Sequence, residues 1–382
     1  MIKSMLLGLA LLLGTSLAIS QTPDGLRLVP ENPTNGEGFG YAISLDNEHL
    51  AVSTRFTQCV YFFTFDGTAW QETGKVSGIQ NGMDRRLAKG LGEVMTLNDN
   101  ILLVAAPQGG TSGASKAGLV EVFTYDGSSW TLDAVVHAPE ATAGAQFGTA
   151  IDVDQDWFIA GAPKLEYETG AAYLYHNVAG EWQAQTLDNP DERPTNRFGE
   201  AVAINDRFAI VGSPGFEERR QKTGALYFYE MKPEGWQLVQ AFKGDRTYQD
   251  LGQSMAIQGD RLAVGAYDQV VIFERHIDQW EIVATLDNPN AGEAMSFAST
   301  LQLSPDGNNL IVGASGQAYL YTYNDGVWQF VTQVTNDATA FGSRCAINNQ
   351  LFILNSPYEG EEFINGAIYN YEIATYLQAL IR

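Results

Sequence analysis

The residues best suited to metal or redox chemistry are few in this chain and stand far apart. It has four histidines and two cysteines among 382 residues. No His-Glu-x-x-His, Cys-x-x-Cys or paired-histidine spacing occurs, whereas zinc and iron sites are usually recognised by such spacings. The histidines are His49, His137, His176 and His276. The sequence therefore predicts no metal site and no cofactor.

Nucleophiles and carboxylates form no catalytic pattern either. Gly-x-Ser-x-Gly is absent, and Ser112 stands in a stretch rich in Gly and Ser rather than at a strand-to-helix turn. No glycine-rich stretch ends in Lys followed by Ser or Thr, as a phosphate-binding loop requires. The 45 acidic side chains leave carboxylate pairs for glycoside cleavage open, because a sequence does not give their separations. We predict no catalytic residue.

Charge excludes two classes of partner. The chain has 22 basic and 45 acidic side chains and a formal net charge of −23. A field of this sign repels phosphate backbones and anionic lipid, so we expect neither nucleic acid nor a membrane as partner. Hydrophobic residues make up 45% of the chain, enough for a large core. We expect a folded monomer.

The first twenty residues have the pattern of a secretory signal peptide. Lys3 precedes the apolar run Met5–Leu13, and the small residues Ala18 and Ser20 follow. This order predicts cleavage after Ser20 and a secreted mature chain, extracellular or periplasmic, over residues 21–382. The competing interpretation is an N-terminal anchor helix, for which the apolar run is short.

The rest of the chain is a repeat of seven units. Each unit opens with an aromatic residue or Leu, followed by a small residue and a short alternating strand. Successive units begin 44 to 56 residues apart, a period typical of stacked supersecondary units. The units begin near Phe39, Leu91, Phe147, Phe198, Leu251, Phe297 and Phe341.

The interior of each unit predicts four antiparallel strands. A tight polar turn joins the first two strands, and the second ends in small residues such as Gly161-Ala162-Pro163. Aromatic residues alternate along the third strand, and six of the seven tryptophans begin the fourth. Both faces of these strands are apolar, so each small sheet must be covered on both sides. We therefore predict a single all-β domain, a seven-bladed β-propeller whose aromatic residues form the core between blades.

The seventh unit lacks the tryptophan of the fourth strand, so another segment must complete it. We predict that Leu26–Val29 supplies this strand and closes the ring, while Leu377–Arg382 is the competing segment. Closure would place the first blade beside the seventh. Cys59 and Cys345 then form either a disulfide or, on the plainer interpretation, two buried free thiols.

The pairing of Phe147-Gly148 with Gly161-Ala162-Pro163 resembles the FG-GAP repeat, and Phe198-Gly199 with Gly212-Ser213-Pro214 comes close to it. That repeat builds the N-terminal β-propeller of integrin α subunits and occurs in exported bacterial proteins, so the resemblance implies the same fold. Many FG-GAP repeats also carry a calcium loop between the first two strands. The acidic turn Asp152–Asp156 is too short to wrap calcium, and we do not expect calcium here.

Long connections on one rim are the predicted binding surface. In an up-and-down blade, the connections between strands two and three share a rim with those between blades, and these are the connections that vary in length. Exposed loops on a rigid scaffold commonly carry binding residues. The candidate ligand-binding residues are Arg85, Arg86, Lys89, Tyr167, Arg193, Arg197, Phe216, Arg219, Arg220, Lys222, Arg246, Tyr248 and Tyr358.

Two functions follow from this pattern. The first is an exported, non-catalytic binding or adhesion module that recognises a protein or glycan through the variable rim. The alternative is a carbohydrate-active hydrolase or lyase with its site in the central funnel. An acidic pair contributed by two blades and pointing into the funnel would favour the enzyme.

Overall fold

The computed structural model describes residues 25–77, 89–245, 247–290, 296–338, 340–359 and 365–378. These residues form seven four-stranded antiparallel sheets, a two-stranded hairpin and two short helices. The predicted all-β, seven-bladed propeller is confirmed. The predicted signal peptide, residues 1–20, lies outside the described residues.

The strands are numbered in chain order. Strand β1 is Leu26–Leu28, and blade 1 contains β2 (Phe39–Leu45), β3 (His49–Thr54), β4 (Cys59–Phe65) and β5 (Trp70–Ser77). Blade 2 contains β6 (Val94–Asn98), β7 (Ile101–Ala106), β8 (Leu119–Tyr125) and β9 (Trp130–Val136). Blade 3 contains β10 (Ala150–Asp154), β11 (Trp157–Ala162), the helical turn α1 (Leu165–Glu168), β12 (Ala171–Val178) and β13 (Glu181–Thr186).

The next two blades follow the same plan. Blade 4 contains β14 (Val202–Ile204), β15 (Phe208–Gly212), the hairpin β16 (Glu217–Glu218) and β17 (Gln221–Lys222), β18 (Ala225–Lys232) and β19 (Gly235–Lys243). Blade 5 contains β20 (Ser254–Gln258), β21 (Arg261–Ala266), β22 (Gln269–His276) and β23 (Gln279–Asp287).

Two blades complete the ring. Blade 6 contains β24 (Thr300–Leu303), β25 (Asn309–Ala314), β26 (Gln317–Asn324) and β27 (Val327–Thr335). Blade 7 contains β28 (Cys345–Ile347), β29 (Leu351–Ser356) and β30 (Ala367–Glu372), and helix α2 (Ile373–Leu377) follows it.

The ring closes through both the inner and the outer strands. The first strand of each blade contacts the first strands of its two neighbours, and β2 contacts β28 across the closure. Strand β1 pairs with β30 as the outer strand of blade 7, with Leu26 opposite Asn370. The predicted closure by the N-terminal segment is confirmed. Leu377, where the competing segment begins, ends helix α2 instead.

Aromatic side chains fill the space between blades, as the alternation predicts. Phe39, Phe147 and Phe198 are fully buried, and Trp236 and Trp280 are less than a tenth exposed. Burying an aromatic ring of this size removes about 150–250 Å² from water. These repeated rings are therefore core residues rather than a ligand platform.

The two cysteines are free thiols, and both are buried. Burial raises the pKa of the Cys345 thiol to about 12, so the thiol stays protonated at neutral pH. Of the two open interpretations, the structure supports buried free thiols.

Blades 3 and 4 approach the blade that follows so closely that no β-carbon fits at one repeated position of their second strands. A β-carbon on Gly161, at the end of β11, would lie 1.9 Å from the carbonyl oxygen of Gly199 in blade 4. Gly212 meets the Gly252 oxygen of blade 5 in the same way, at 2.3 Å. Real β-carbons do not approach backbone this closely, so the repeated glycines are a packing requirement between blades.

In blades 1 and 7, a polar side chain in place of the glycine makes the contact with the next blade. Ser53 and Asn355 occupy the position of Gly161 in blades 1 and 7. The Ser53 hydroxyl donates to the Gly92 carbonyl at 2.7 Å. The Asn355 amide donates to the Gly40 carbonyl at 3.0 Å, and this bond joins the last blade to the first.

Blade 2 carries an unpaired carboxyl in the core. Glu121 is fully buried and occupies the third-strand position that is tyrosine in five other blades. Neither of its carboxyl oxygens has a hydrogen-bond partner within the described part of the chain. Burial raises the pKa of Glu121 to about 7, because the charged form is poorly solvated there.

We expect Gly161→Ala to destabilise the propeller, because its new methyl group would overlap the Gly199 carbonyl. Overpacking of this kind costs about 1–3 kcal/mol. Gly113→Ala is the matched control, since a β-carbon at Gly113 meets nothing within 4 Å. Urea denaturation of both variants measures the difference, and equal midpoints would contradict the close-contact explanation.

Glu121→Gln is expected to remove a pH-dependent loss of stability. An unfolded glutamate ionises near its ordinary pKa, whereas folded Glu121 keeps its proton until about pH 7. The folded state therefore binds more protons in this interval, and its stability falls as pH rises. Above pH 7 the penalty is on the order of 3 kcal/mol.

Free energies of unfolding at pH 5 and pH 8 test this expectation. The variant should exceed the wild type in stability by less than about 1 kcal/mol at pH 5 and by on the order of 3 kcal/mol at pH 8. Glu140→Gln, at an exposed position of the connection that follows blade 2, should follow the wild type at both pH values. A Glu121→Gln variant with the wild-type pH dependence would refute the assignment.

Candidate functional site

The two rims of the propeller differ in the length of their connections. Turns between the first and second strands, and between the third and fourth, contain two to five residues. On the other rim, residues 107–118 and residues 213–224 each form a connection of twelve residues. We call this second surface the loop rim: the connections between second and third strands, together with those between blades.

Neighbouring connections of the loop rim are bonded to one another. The Thr195 amide donates to the Tyr167 carbonyl at 3.1 Å, and the Gly215 amide donates to the Asn196 carbonyl at 3.1 Å. These bonds join connections from blades 3 and 4. The loops are therefore held in place on the scaffold, as a binding surface requires.

Two stretches of the loop rim hold ordinary residues in a glycine-like backbone conformation. The φ angles of Glu166, Tyr167 and Glu168 are 46°, 60° and 64°. Arg219 and Arg220 form the tip between β16 and β17, with φ angles of 51° and 66°. Such conformations cost energy in residues other than glycine and are often found at functional sites.

The structure places the thirteen predicted residues in different environments. Six are exposed on the loop rim: Lys89, Tyr167, Arg193, Arg219, Arg220 and Lys222. Three are half-buried: Arg197, Tyr248 and Tyr358. Phe216 is buried, and Arg85, Arg86 and Arg246 lie outside the described residues.

Several of the candidates are already engaged within the protein. Arg197 forms an ion pair with Glu200. Phe216 packs in the core between blades 3 and 4, with the Lys243 ammonium 4.9 Å from its ring centroid. A ligand therefore cannot reach the Phe216 ring in this structure, although its position in a long loop predicts exposure. The Phe216 side chain anchors the loop to the core and is not part of the outer face of the loop.

The structure also brings together residues that the sequence analysis missed. Tyr41, Arg55 and Phe56 of blade 1 lie beside Tyr358 of blade 7. Only Tyr358 is a predicted candidate. Arg55 lies in a connection of only four residues, 55–58, which does not resemble the long variable loops. Its alignment with Pro163 is the signal that could have identified it.

The inner strands surround a central channel of about 580 Å³. Carboxylates from several blades line it, and Arg344 is the one basic residue among the lining residues of the described chain. The acidic residues are Asp46, Glu93, Asp99, Asp152, Asp154 and Glu200. The channel is therefore an acidic environment, unlike the basic residues exposed on the loop rim.

Asp152 is the channel carboxyl with the most altered acidity. The protein packed around it raises the pKa of Asp152 to about 7, and the nearby Asp154 charge adds to the shift. One Asp152 oxygen accepts the Ile204 amide of blade 4 at 2.8 Å. Hydrogen bonds to the carboxylate act in the opposite direction and keep the pKa from rising further.

The position of Asp152 repeats in blade 6 with an amide side chain. There the Gln302 side-chain oxygen accepts the Ile347 amide of blade 7 at 3.0 Å. Because a neutral amide makes the same bond between blades, the bond does not depend on a carboxyl that can exchange a proton. Asp152 therefore links blades 3 and 4 through this hydrogen bond, a role that we call a clasp. Its raised pKa is a result of that position.

Glu93 and Glu200 stand at the end of the channel nearest the loop rim. Burial raises the pKa of each carboxyl above its ordinary value, and nearby arginines partly offset the shift. For Glu93 these arginines are Arg344 and Arg55; for Glu200 the nearest is Arg197. The mouth of the channel thus combines partly buried acids with guanidinium groups.

Within the described ranges, no group of three or more His, Cys, Asp or Glu side chains is arranged to hold a metal ion. Asp152 and Asp154 lie on strand β10 and are followed by a two-residue turn to β11. The same part of the chain contains no helix with the length and apolar character needed to span a membrane.

The clasp interpretation predicts different effects of two substitutions at Asp152. Asp152→Ala leaves the Ile204 amide without its acceptor, and an unpaired buried donor costs about 1–3 kcal/mol. Asp152→Asn retains an acceptor oxygen, as Gln302 does, and should cost less. Urea denaturation at pH 7 compares them, and equal losses in the two variants would show that the hydrogen bond is unimportant.

Comparisons with known proteins identify the fold. No family model matches the chain, and no curated protein matches it. A crystal structure of a functionally unknown protein from Desulfotomaculum acetoxidans DSM 771 is 11% identical with a TM-score of 0.57, covering 86% of this chain and 93% of that one. A chain from a crystal structure of the Mitotic Checkpoint Complex is 11% identical with a TM-score of 0.56, covering 97% and 99%. At this identity the likeness shows the β-propeller fold alone.

Proposed function

We propose that the protein is an exported, non-catalytic binding module that recognises a protein or glycan through its loop rim. The observation that carries the proposal is the restriction of long connections to one rim. Every described turn on the opposite rim is two to five residues long. Because blade packing needs only short turns, the longer connections have a role beyond holding the fold together.

The exposed side chains of the loop rim support recognition of an acidic partner. Arg193, Arg219, Arg220 and Lys222 are exposed in a chain with a net charge of −23. Local basic surfaces of this kind attract acidic groups and orient them before contact. Tyr167, which is 89% exposed, adds a rigid aromatic surface of the type often found at interfaces.

The proposal also takes the repeat to be of the FG-GAP type, as in the propeller of integrin α subunits. The close approach of Gly161 to Gly199 gives a physical reason for pairing Phe-Gly with Gly-Ala-Pro. Export would follow from the signal-peptide pattern of Met1–Ser20. An adhesive role outside the cell is consistent with both features.

A carbohydrate-active hydrolase or lyase remains the competing function. Carboxylates from different blades line one channel, which is the arrangement that such an enzyme would use. The most perturbed of them, Asp152, is occupied by the bond to Ile204, and this favours a binding role instead.

A screen on glycan and surface-protein arrays tests the proposal. The combined variant Arg193→Gln, Arg219→Gln, Arg220→Gln and Lys222→Gln should weaken binding at least about tenfold through lost charge-assisted contacts. Ile277→Asn, at an exposed turn of the opposite rim, is the control and should bind as the wild type. Binding that is lost only in the control would refute the loop rim as the site. Reducing sugar released by the native but not the boiled protein would establish the enzyme.

A further inference from the structure

On the loop rim, at the mouth of the channel, blades 1 and 7 contribute a cluster of cationic and aromatic side chains, whereas Arg193, Arg219, Arg220 and Lys222 belong to blades 3 and 4. We call it the arginine–aromatic cluster: Tyr41, Arg55, Phe56, Tyr358 and Arg344. Tyr41 lies in β2, Arg55 and Phe56 follow β3, and Tyr358 follows β29. Arg344 precedes β28 and lines the channel. The cluster therefore joins the loop-rim connections of blades 1 and 7.

Arg55 lies among three aromatic rings. Its guanidinium carbon is 5.5 Å from the ring centroid of Tyr41, 5.5 Å from that of Phe56 and 5.3 Å from that of Tyr358. All three distances are within the range of a cation–π contact. The rings orient the guanidinium group before any ligand arrives, which lowers the entropy that binding must remove.

The described residues leave the hydrogen-bonding capacity of Arg55 unused. Its side chain is exposed and forms no ion pair or hydrogen bond with any described residue. A guanidinium group has five N–H donors in its plane, and aromatic contacts over its faces satisfy none of them. The group is therefore available to an acceptor with two oxygens, such as a carboxylate.

A second guanidinium lies near the same groups. Arg344 donates to the Ser343 carbonyl at 3.3 Å and forms no ion pair within the described part of the chain. Arg55 and Arg344 both act electrostatically on Tyr41 and on Glu93. Both cations therefore lie near Tyr41 and Glu93, and among the described residues the Glu93 carboxylate only partly balances their charge.

We propose that the arginine–aromatic cluster binds an acidic peptide segment of a partner protein, with a carboxylate side chain at Arg55 and Arg344 and an adjacent apolar side chain against Phe56. This inference rests on the proposed function and names the class of partner. The Phe56 ring, 54% exposed, supplies the apolar contact. Arginine and aromatic residues are enriched among the residues that dominate protein–protein binding.

The surrounding charge favours a peptide over an acidic polysaccharide. A polyuronic acid carries a carboxylate on every ring, whereas the mouth offers two guanidinium groups near Glu93, and Glu200 lines the same channel. Further carboxylates of a polyanion would be repelled by these acids and by the channel below. A peptide can present one carboxylate and then an apolar side chain, which matches the cluster.

Fluorescence anisotropy with two labelled peptide pools tests the proposal. The first pool holds an acidic residue followed by an aromatic residue, and the second holds the corresponding amide in place of the acid. The wild type should bind the acidic pool at least about tenfold more tightly, and Arg55→Gln should abolish that preference. Arg55→Lys should recover little of the preference for the acidic pool, since a lysine ammonium lacks the planar pair of donors of a guanidinium group. Ile277→Asn, at an exposed turn of the opposite rim, should leave it unchanged.

The outcomes separate this inference from the proposed function. Thermal denaturation should show Arg55→Gln folded like the wild type, because Arg55 is exposed. Unchanged peptide binding by that variant, or binding of oligogalacturonate and not of peptide, would overturn the inference. If the four-residue loop-rim variant still lost its array ligands, the proposed function would stand alone. A wild type that binds no array ligand and no peptide would refute both.

Discussion

The contact between consecutive blades at the end of the second strand is the constraint on which the propeller depends. In blades 3 and 4 the backbone meets the opening Phe-Gly or Leu-Gly of the next blade with no space for a β-carbon, as at Gly161 and Gly199. The aromatic residue of that pair can then fill the space between two sheets. Because each sheet is apolar on both faces, no blade could bury its own surface alone.

Polar side chains around the channel secure these contacts at every junction. Serine, asparagine, aspartate or glutamine bonds across to the backbone of the following blade, and Ser53, Asp152 and Asn355 are three examples. A buried backbone donor or acceptor needs such a partner. Polar and acidic residues that could be taken for catalytic ones in the sequence therefore hold neighbouring blades together. This explains how acidic residues can line the channel in a structural role.

The connections of the loop rim are less constrained by the contacts between blades. Phe216 anchors the connection of residues 213–224 in the core, and the rest of this connection projects from the rim and holds Arg219 and Arg220 in unfavourable conformations. Where the repeat departs from its pattern, the departures mark particular tasks. Asn355 joins the last blade to the first, and Arg55 stands where blade 3 has a proline and meets rings from two blades.

The sequence by itself determined the number of blades and the strand order, because glycines and aromatic residues recur at equivalent positions of the repeat. For the closing strand it favoured Leu26–Val29 and left Leu377–Arg382 as the alternative. It also indicated which rim carries the long connections. Only the tertiary structure decided which of those residues are available to a ligand, since Phe216 turns inward and Arg197 is paired with Glu200. The cluster around Arg55 joins residues about 300 positions apart in the chain. The spacing of residues along the chain does not indicate such a contact, because only ring closure brings blades 1 and 7 together.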